Sequence, residues 1–167
     1  MVCPDGWRDY ELLDTGEGMK LERWGKSVIA RVEPRIIWRK GNPDLWRGTI
    51  LLEEQVINYK QLKFKLKQTK FGHTGVFPEQ GSNWDWLLQR KATRVLNLFA
   101  YTGGATMAAA LAGAQVTHVD SSKPSLMWAS ENAQLTGVKD KVRWIQDDAL
   151  KFVKREIRRG GKYDGII

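Results

Sequence analysis

The stretch VLNLFAYTGGATMAAALAGAQVTHVD, Val95 to Asp120, constrains this 167-residue chain more than any other. A run of branched apolar residues, a turn containing Gly103 and Gly104, an alanine-rich helical segment and a second apolar run closed by Asp120 follow one another directly. That order is a strand, a helix and a parallel strand joined by a right-handed crossover, the unit from which nucleotide-cradling sheets are built. The turn is unusual for the unit. Where a dinucleotide fingerprint places its first glycines, the chain has Phe99, Ala100 and Tyr101, which disfavours close approach of a pyrophosphate and with it an NAD-dependent oxidoreductase.

The alternation continues downstream. The pattern predicts strands over 94–99, 115–119 and 142–146, helices over 104–112, 123–136 and 148–159, and a last strand opening at Tyr163. This is an α/β, doubly wound, mainly parallel Rossmann-like sheet. It is expected to end at its fourth strand, YDGII, which reads as the edge of a C-terminally incomplete domain. Residues 1–70 differ: YELLDTGEGMKLERWG, SVIARVEPRIIW and GTILLEE are β-like runs broken by turn residues, and predict a small antiparallel β appendage. QLKFKLKQTKFG alternates strictly, which places Lys63, Lys65 and Lys67 on one face of a half-buried strand, at a spacing comparable to successive phosphates. Residues 71–93 form a connector, with Ser82 as the expected N-cap of a short helix, and residues 94–167 the half-sheet.

A net charge of +8 and a pI near 9.7 point to a polyanionic partner, RNA among them. No apolar run reaches the roughly 20 residues of a membrane span, so no membrane partner is expected. Cys3 is the only cysteine, read as an inert thiol, and His73 and His118 are isolated, so neither a disulfide nor a metal is expected and a reducing cytoplasm fits. His118 is expected to be a packed core residue. Of the eight tryptophans, Trp84, Trp86, Trp128 and Trp144 sit in apolar patterns that predict burial, whereas Trp7, Trp24, Trp38 and Trp46 are open to base stacking. In the last helix Lys151, Lys154, Arg155, Arg158, Arg159 and Lys162 are expected opposite Leu150, Val153 and Ile157; the cationic side is either a solvated face or an RNA contact.

In a parallel sheet ligands bind beyond the carboxyl ends of the strands. Gly103 and Gly104 either admit an anionic group to the free N–H groups at the helix start or allow close packing of helix on sheet. Asp120 stands at the spacing at which a carboxylate reaches a ribose diol, or else caps the next helix with Ser121 and Ser122. Asp148 can accept from an adenine amino group beside the backbone of Ala149, or serve the helix dipole together with Asp147.

The run from Val95 to Gly137 resembles the cofactor-binding core of class I S-adenosylmethionine-dependent methyltransferases. It is most similar to the branch containing the large-subunit ribosomal RNA cytosine-C5 methyltransferases and their bacterial relatives, in which the glycine motif is altered to Asn-Leu-Phe-x-Tyr-Thr-Gly-Gly as at Asn97 to Gly104. KFGHTGVFPEQGSNWDWL and the N-terminal hairpin also resemble that branch, so the likeness covers almost the whole chain. The resemblance implies S-adenosylmethionine as cofactor and RNA as substrate. It implies Phe77, Gln80 and Asn83 at the methionine end, Asn97, Tyr101 and Gly103 in the turn, Asp120 and Ser121 at the ribose, and Asp148 and Ala149 at the adenine. In the family an Asp-Pro-Pro segment follows the YDGII strand, so catalytic residues are expected beyond Ile167. A catalytically incomplete RNA-binding or cofactor-binding module of the same fold is the alternative expectation.

Overall fold

A computed structural model of the chain describes residues 6–47, 53–67, 69 and 73–167. They fall into two compact units, Met1–Gly81 and Ser82–Ile167. Cys3 and most of GTILLEE lie outside the described residues.

In the first unit β1 (Tyr10–Gly16), β2 (Met19–Trp24) and β3 (Ser27–Val32) form an antiparallel sheet, and β4 (Gln55–Tyr59) and β5 (Leu62–Leu66) an antiparallel hairpin. The β1–β2 connection turns through Glu17 and Gly18, both at positive φ, the backbone that a tight two-residue hairpin demands. Alternation in β5 is as expected: Leu62, Phe64 and Leu66 are buried, while Lys63 is exposed and Lys65 half-buried with its ammonium 2.5 Å from Glu54. The core contains a carboxylate. Glu22 is fully buried, which by itself would raise its pKa, but hydrogen bonds and charge from Arg31, helped by Lys20 and the Tyr10 hydroxyl, hold it below the ordinary value.

The second unit is the predicted α/β parallel sheet. Its strands β6 (Arg94–Leu98), β7 (Gln115–Asp120), β8 (Val142–Gln146) and β9 (Gly165–Ile166) are all parallel in the order β8-β7-β6-β9. Helices α2 (Gly104–Leu111), α3 (Lys123–Thr136) and α4 (Ala149–Arg158) make the crossovers, and α1 (Gly81–Leu88) precedes β6. Because β7 lies on one side of β6 and β9 on the other, strand order reverses at β6 and opens a crevice at its carboxyl end.

Three local expectations change. Ser82 is inside α1 rather than its cap, because a 3-10 turn over Pro78–Gln80, started by the fixed φ of Pro78, runs straight into the helix. Trp86 is 56% exposed: Trp84 faces inward, so a residue two further on points about 200° away, where the Arg90 guanidinium lies 4.1 Å from its ring. In α4 the buried stripe runs through Ala149, Phe152 and Glu156 with Val153 beside it, while Leu150 and Ile157 are exposed among the cations. Phe152 sets this phase by packing against Leu96 and Val119 of the sheet.

Candidate cofactor site

The turn after β6 is the most distorted backbone in the second unit. Phe99, Tyr101 and Gly103 have φ of 54°, 50° and 89°, so every second residue is left-handed. These are the three positions that a Gly-x-Gly-x-Gly turn fills with glycine, and the backbone keeps that conformation although two of the residues are aromatic. Left-handed backbone costs a residue with a Cβ roughly 1–2 kcal/mol. Such cost persists only where neighbours over-determine the conformation.

Asp120 is the chief of those neighbours. Its Oδ2 accepts the Tyr101 N–H at 2.8 Å and its Oδ1 accepts the Ser122 N–H at 2.8 Å, so one carboxylate ties the β6 turn to the start of α3. The Ala100 N–H donates to the Val119 carbonyl and the Asp147 N–H to the Asp120 carbonyl, both at 3.1 Å, which stitches the three loops together. Each Asp120 oxygen keeps a further lone pair, enough to accept a vicinal diol.

Beneath the turn lies a buried polar chain that the sequence reading missed as a unit. The Asn97 amide donates to Thr106 Oγ1 at 2.9 Å, and Thr106 Oγ1 lies 2.9 Å from His118 Nδ1. The hydroxyl accepts from Asn97 and shares a hydrogen bond with His118 Nδ1, and the Tyr101 backbone is a further hydrogen-bond partner of the His118 ring. Burial pushes the His118 pKa down to about 4, against the pull of the Asp120 carboxylate. His118 is fully buried against the Trp144 ring, as expected of a core residue. Asn132 of α3 is buried too, its amide on the Thr102 carbonyl at 2.9 Å. Only the buried face of α3, set by tertiary packing, could have singled it out.

The glycines divide their work. Gly104 meets the indole of Trp84, where a Cβ would lie 2.7 Å from the ring, so it serves close packing. Gly103 serves the left-handed turn. At the third loop, Asp148 caps α4 by accepting the Lys151 N–H at 2.9 Å through Oδ1, which leaves its Oδ2 to a ligand. Asp147 pairs with Arg155 and accepts the Asp148 N–H. Ala149 is buried as the first residue of that helix, and Ser121 is exposed beside Asp120.

The structure thus brings Tyr101, Gly103, Asp120, Ser121, Asp148 and Ala149 together at the carboxyl ends of β6, β7 and β8, with Asn97 buried beneath. Asn83 is exposed on α1 of the same unit; Phe77 and Gln80 are exposed and belong to the first unit. Among the described residues no cluster of His, Cys, Asp and Glu is suited to a metal, and no helix is long and apolar enough to cross a membrane.

A left-handed turn at the switch point, a helix start behind it and a carboxylate at the end of the second strand define a class of nucleoside-cofactor proteins. The family follows from the sequence: residues 30–167 match the model described as S-adenosylmethionine-dependent methyltransferase, and the chain belongs to that family, with S-adenosylmethionine as its cofactor. A crystal structure of the SAM-dependent methyltransferase from Agrobacterium tumefaciens superposes with a TM-score of 0.90 at 40% identity, covering 96% of this chain and 59% of that one. Ribosomal RNA large subunit methyltransferase K/L of a Shewanella species is 40% identical over 109 residues, 63% of this chain and 15% of the relative. A Methanocaldococcus jannaschii protein, provisionally named a ribosomal RNA large subunit methyltransferase, is 37% identical over 147 residues, 84% of this chain and 37% of its own length. This chain therefore spans less than two thirds of each of these relatives.

Proposed function

We propose that this protein methylates RNA, with ribosomal RNA as the substrate, and works in the cytoplasm. The observation behind the cofactor reading is the left-handed turn at Phe99, Tyr101 and Gly103, held by the Asp120 carboxylate. The RNA reading draws on the basic chain and on relatives named as ribosomal RNA methyltransferases.

S-adenosylmethionine supplies an electrophilic methyl group on a sulfonium. The residues present fit it, since its ribose and adenine have counterparts here with acceptor capacity to spare. Asp120 holds the ribose diol through its remaining lone pairs, with Ser121 beside it. Asp148 takes the adenine amino group on Oδ2, and the Ala149 N–H meets the ring. The N–H groups of Gly104 and Ala105, ahead of the first intrahelical bond from Met107 to Gly103, would be donors for the methionine carboxylate. Asn97 and the Tyr101 backbone hold the turn in shape. The resemblance also assigns Phe77, Gln80 and Asn83 to the methionine end. Lys63, Lys65 and Lys67 bind phosphates of the RNA. Catalysis on this reading is mainly positioning in a water-poor pocket.

Titration calorimetry with S-adenosylhomocysteine tests the cofactor assignment. The chain is expected to bind it and Asp120→Ala to lose at least tenfold in affinity; undiminished binding by a folded Asp120→Ala variant would remove the assignment.

A further inference from the structure

Four tryptophans of the N-terminal part are open to base stacking by sequence, and the structure separates them. Trp24 is fully buried. Trp7 is half-buried against Tyr10 and Tyr59, with its Nε1–H on the Pro78 carbonyl. Trp46 is half-buried, its Nε1–H on Asp14 Oδ2 and the Lys40 ammonium 4.6 Å from its ring. Trp38 is 54% exposed, and its neighbour Ile37 is 90% exposed.

The position of Trp38 is built. The Glu17 and Gly18 N–H groups donate to the Trp38 and Ile36 carbonyls, both at 2.7 Å, and lay residues 36–38 along the β1–β2 turn. Trp38 Nε1–H donates to Thr15 Oγ1 at 3.0 Å, which pins one edge of the indole. Behind it, at a register shift in β1, the Asp14 carboxylate accepts the N–H groups of Thr15, Gly41 and Asn42 and the Trp46 indole N–H. Gly16 completes the contact, because a Cβ there would lie 2.3 Å from the Lys40 nitrogen. The loop is thus ordered to hold an aromatic ring in water. Ordering a loop costs entropy, which these hydrogen bonds help to offset, and leaving an indole wet forgoes burial.

The charges around it favour one kind of occupant. Within residues 35–47, Arg35, Arg39, Lys40 and Arg47 stand against the single carboxylate Asp44. Arg35 is paired with Glu33, Lys40 with Glu17 and Arg47 with Asp44, whereas Arg39, next to Trp38, has no ion-pair partner among the described residues. A rigid ring with an unpaired guanidinium at its side suits a stacked base with its phosphate better than an apolar protein face.

We propose that the loop of residues 35–47 is a platform for single-stranded RNA, on which an unpaired base stacks against Trp38 while Arg39 meets the adjoining phosphate. The proposal rests on the reading of RNA as substrate.

Fluorescence anisotropy with a short oligouridylate, and with the same oligonucleotide carrying abasic positions, tests it on the full chain. Trp38→Ala is expected to weaken binding of the intact oligonucleotide about tenfold with its salt slope unchanged, and Trp38→Tyr to restore it. Abasic substitution is expected to weaken binding to the wild type and not to Trp38→Ala, whereas Arg39→Gln lowers the salt slope. Equal binding by Trp38→Ala and wild type overturns the proposal, and so does equal binding of intact and abasic strands by the wild type. Loss of S-adenosylhomocysteine affinity in Trp38→Ala would show a folding defect and overturn it as well. A wild type that binds S-adenosylhomocysteine but no RNA sinks the RNA reading and this platform together, leaving the cofactor site standing. Self-association abolished by Trp38→Ala in sedimentation would reassign the loop to contacts between copies.

Discussion

Phe99 is the residue whose identity and conformation disagree most. It is 79% exposed and left-handed, so its side chain contributes little packing while its Cβ strains the backbone. Phe99→Gly removes that strain at small cost in burial, and is expected to leave stability unchanged or raise it by up to about 1 kcal/mol. A thermal melt checks this, and a fall of several degrees would show that the ring is held by contacts. His118 gives a second prediction with a definite sign. Its folded pKa of about 4 lies below the 6.5 of an unpartnered histidine, so the unfolded chain takes up the proton first as pH falls. Its contribution is intact above pH 6.5 and declines between pH 6.5 and 4, by about 3 kcal/mol in all. His118→Gln does not titrate and is expected to flatten the melting temperature over that window. The lowered carboxyls of Glu22, Asp14 and Glu156 are lost only at lower pH, as their folded pKa values are passed.

At the scale of elements, period alone separates β5 from α4. A strand has two faces, so Lys-Phe-Lys-Leu-Lys fixes which side chains are buried, and Leu62, Phe64 and Leu66 are. Changing Lys63, Lys65 and Lys67 to Gln is expected to weaken RNA binding and to lower its log–log salt slope by up to about 2, with S-adenosylhomocysteine affinity unchanged. Anisotropy across several salt concentrations measures it, and an unaltered slope would mark these lysines as an ordinary solvated face. A helix has no such binary choice. Leu150, Val153 and Ile157 make an acceptable apolar stripe on paper, yet the stripe through Ala149, Phe152 and Glu156 is the buried one. Phe152 fits between Leu96 and Val119, and the Tyr163 hydroxyl meets Glu156 at 2.8 Å, so a carboxylate is tolerated on the inner side. Neither partner is within reach of a local pattern.

For the whole molecule, cofactor binding and folding are linked, because a ligand that binds only the folded chain stabilises it by mass action. S-adenosylhomocysteine at about 100 times its dissociation constant is expected to add about 2.7 kcal/mol, read as a rise in the melting temperature that NAD does not reproduce. An equal rise with NAD would contradict the selectivity ascribed to the turn. The sequence by itself determined the order of strands and helices from Arg94 onward, the parallel sheet, the antiparallel appendage and the position of the crevice, because these follow from hydrophobic period, glycine and proline placement and the handedness of crossovers. It also drew attention to Tyr101, Gly103, Asp120 and Asp148, since loops at the ends of parallel strands converge whatever their side chains. Tertiary structure alone decided that Phe99 and Tyr101 keep a glycine-like backbone, that Asn97, Thr106 and His118 are joined beneath it, and that Trp38 stands in water while Trp24 is buried. The physical reason is range: conformation against local preference, buried hydrogen-bond chains and helix phase are set by partners distant in sequence, and a single chain of letters does not say which partners will meet.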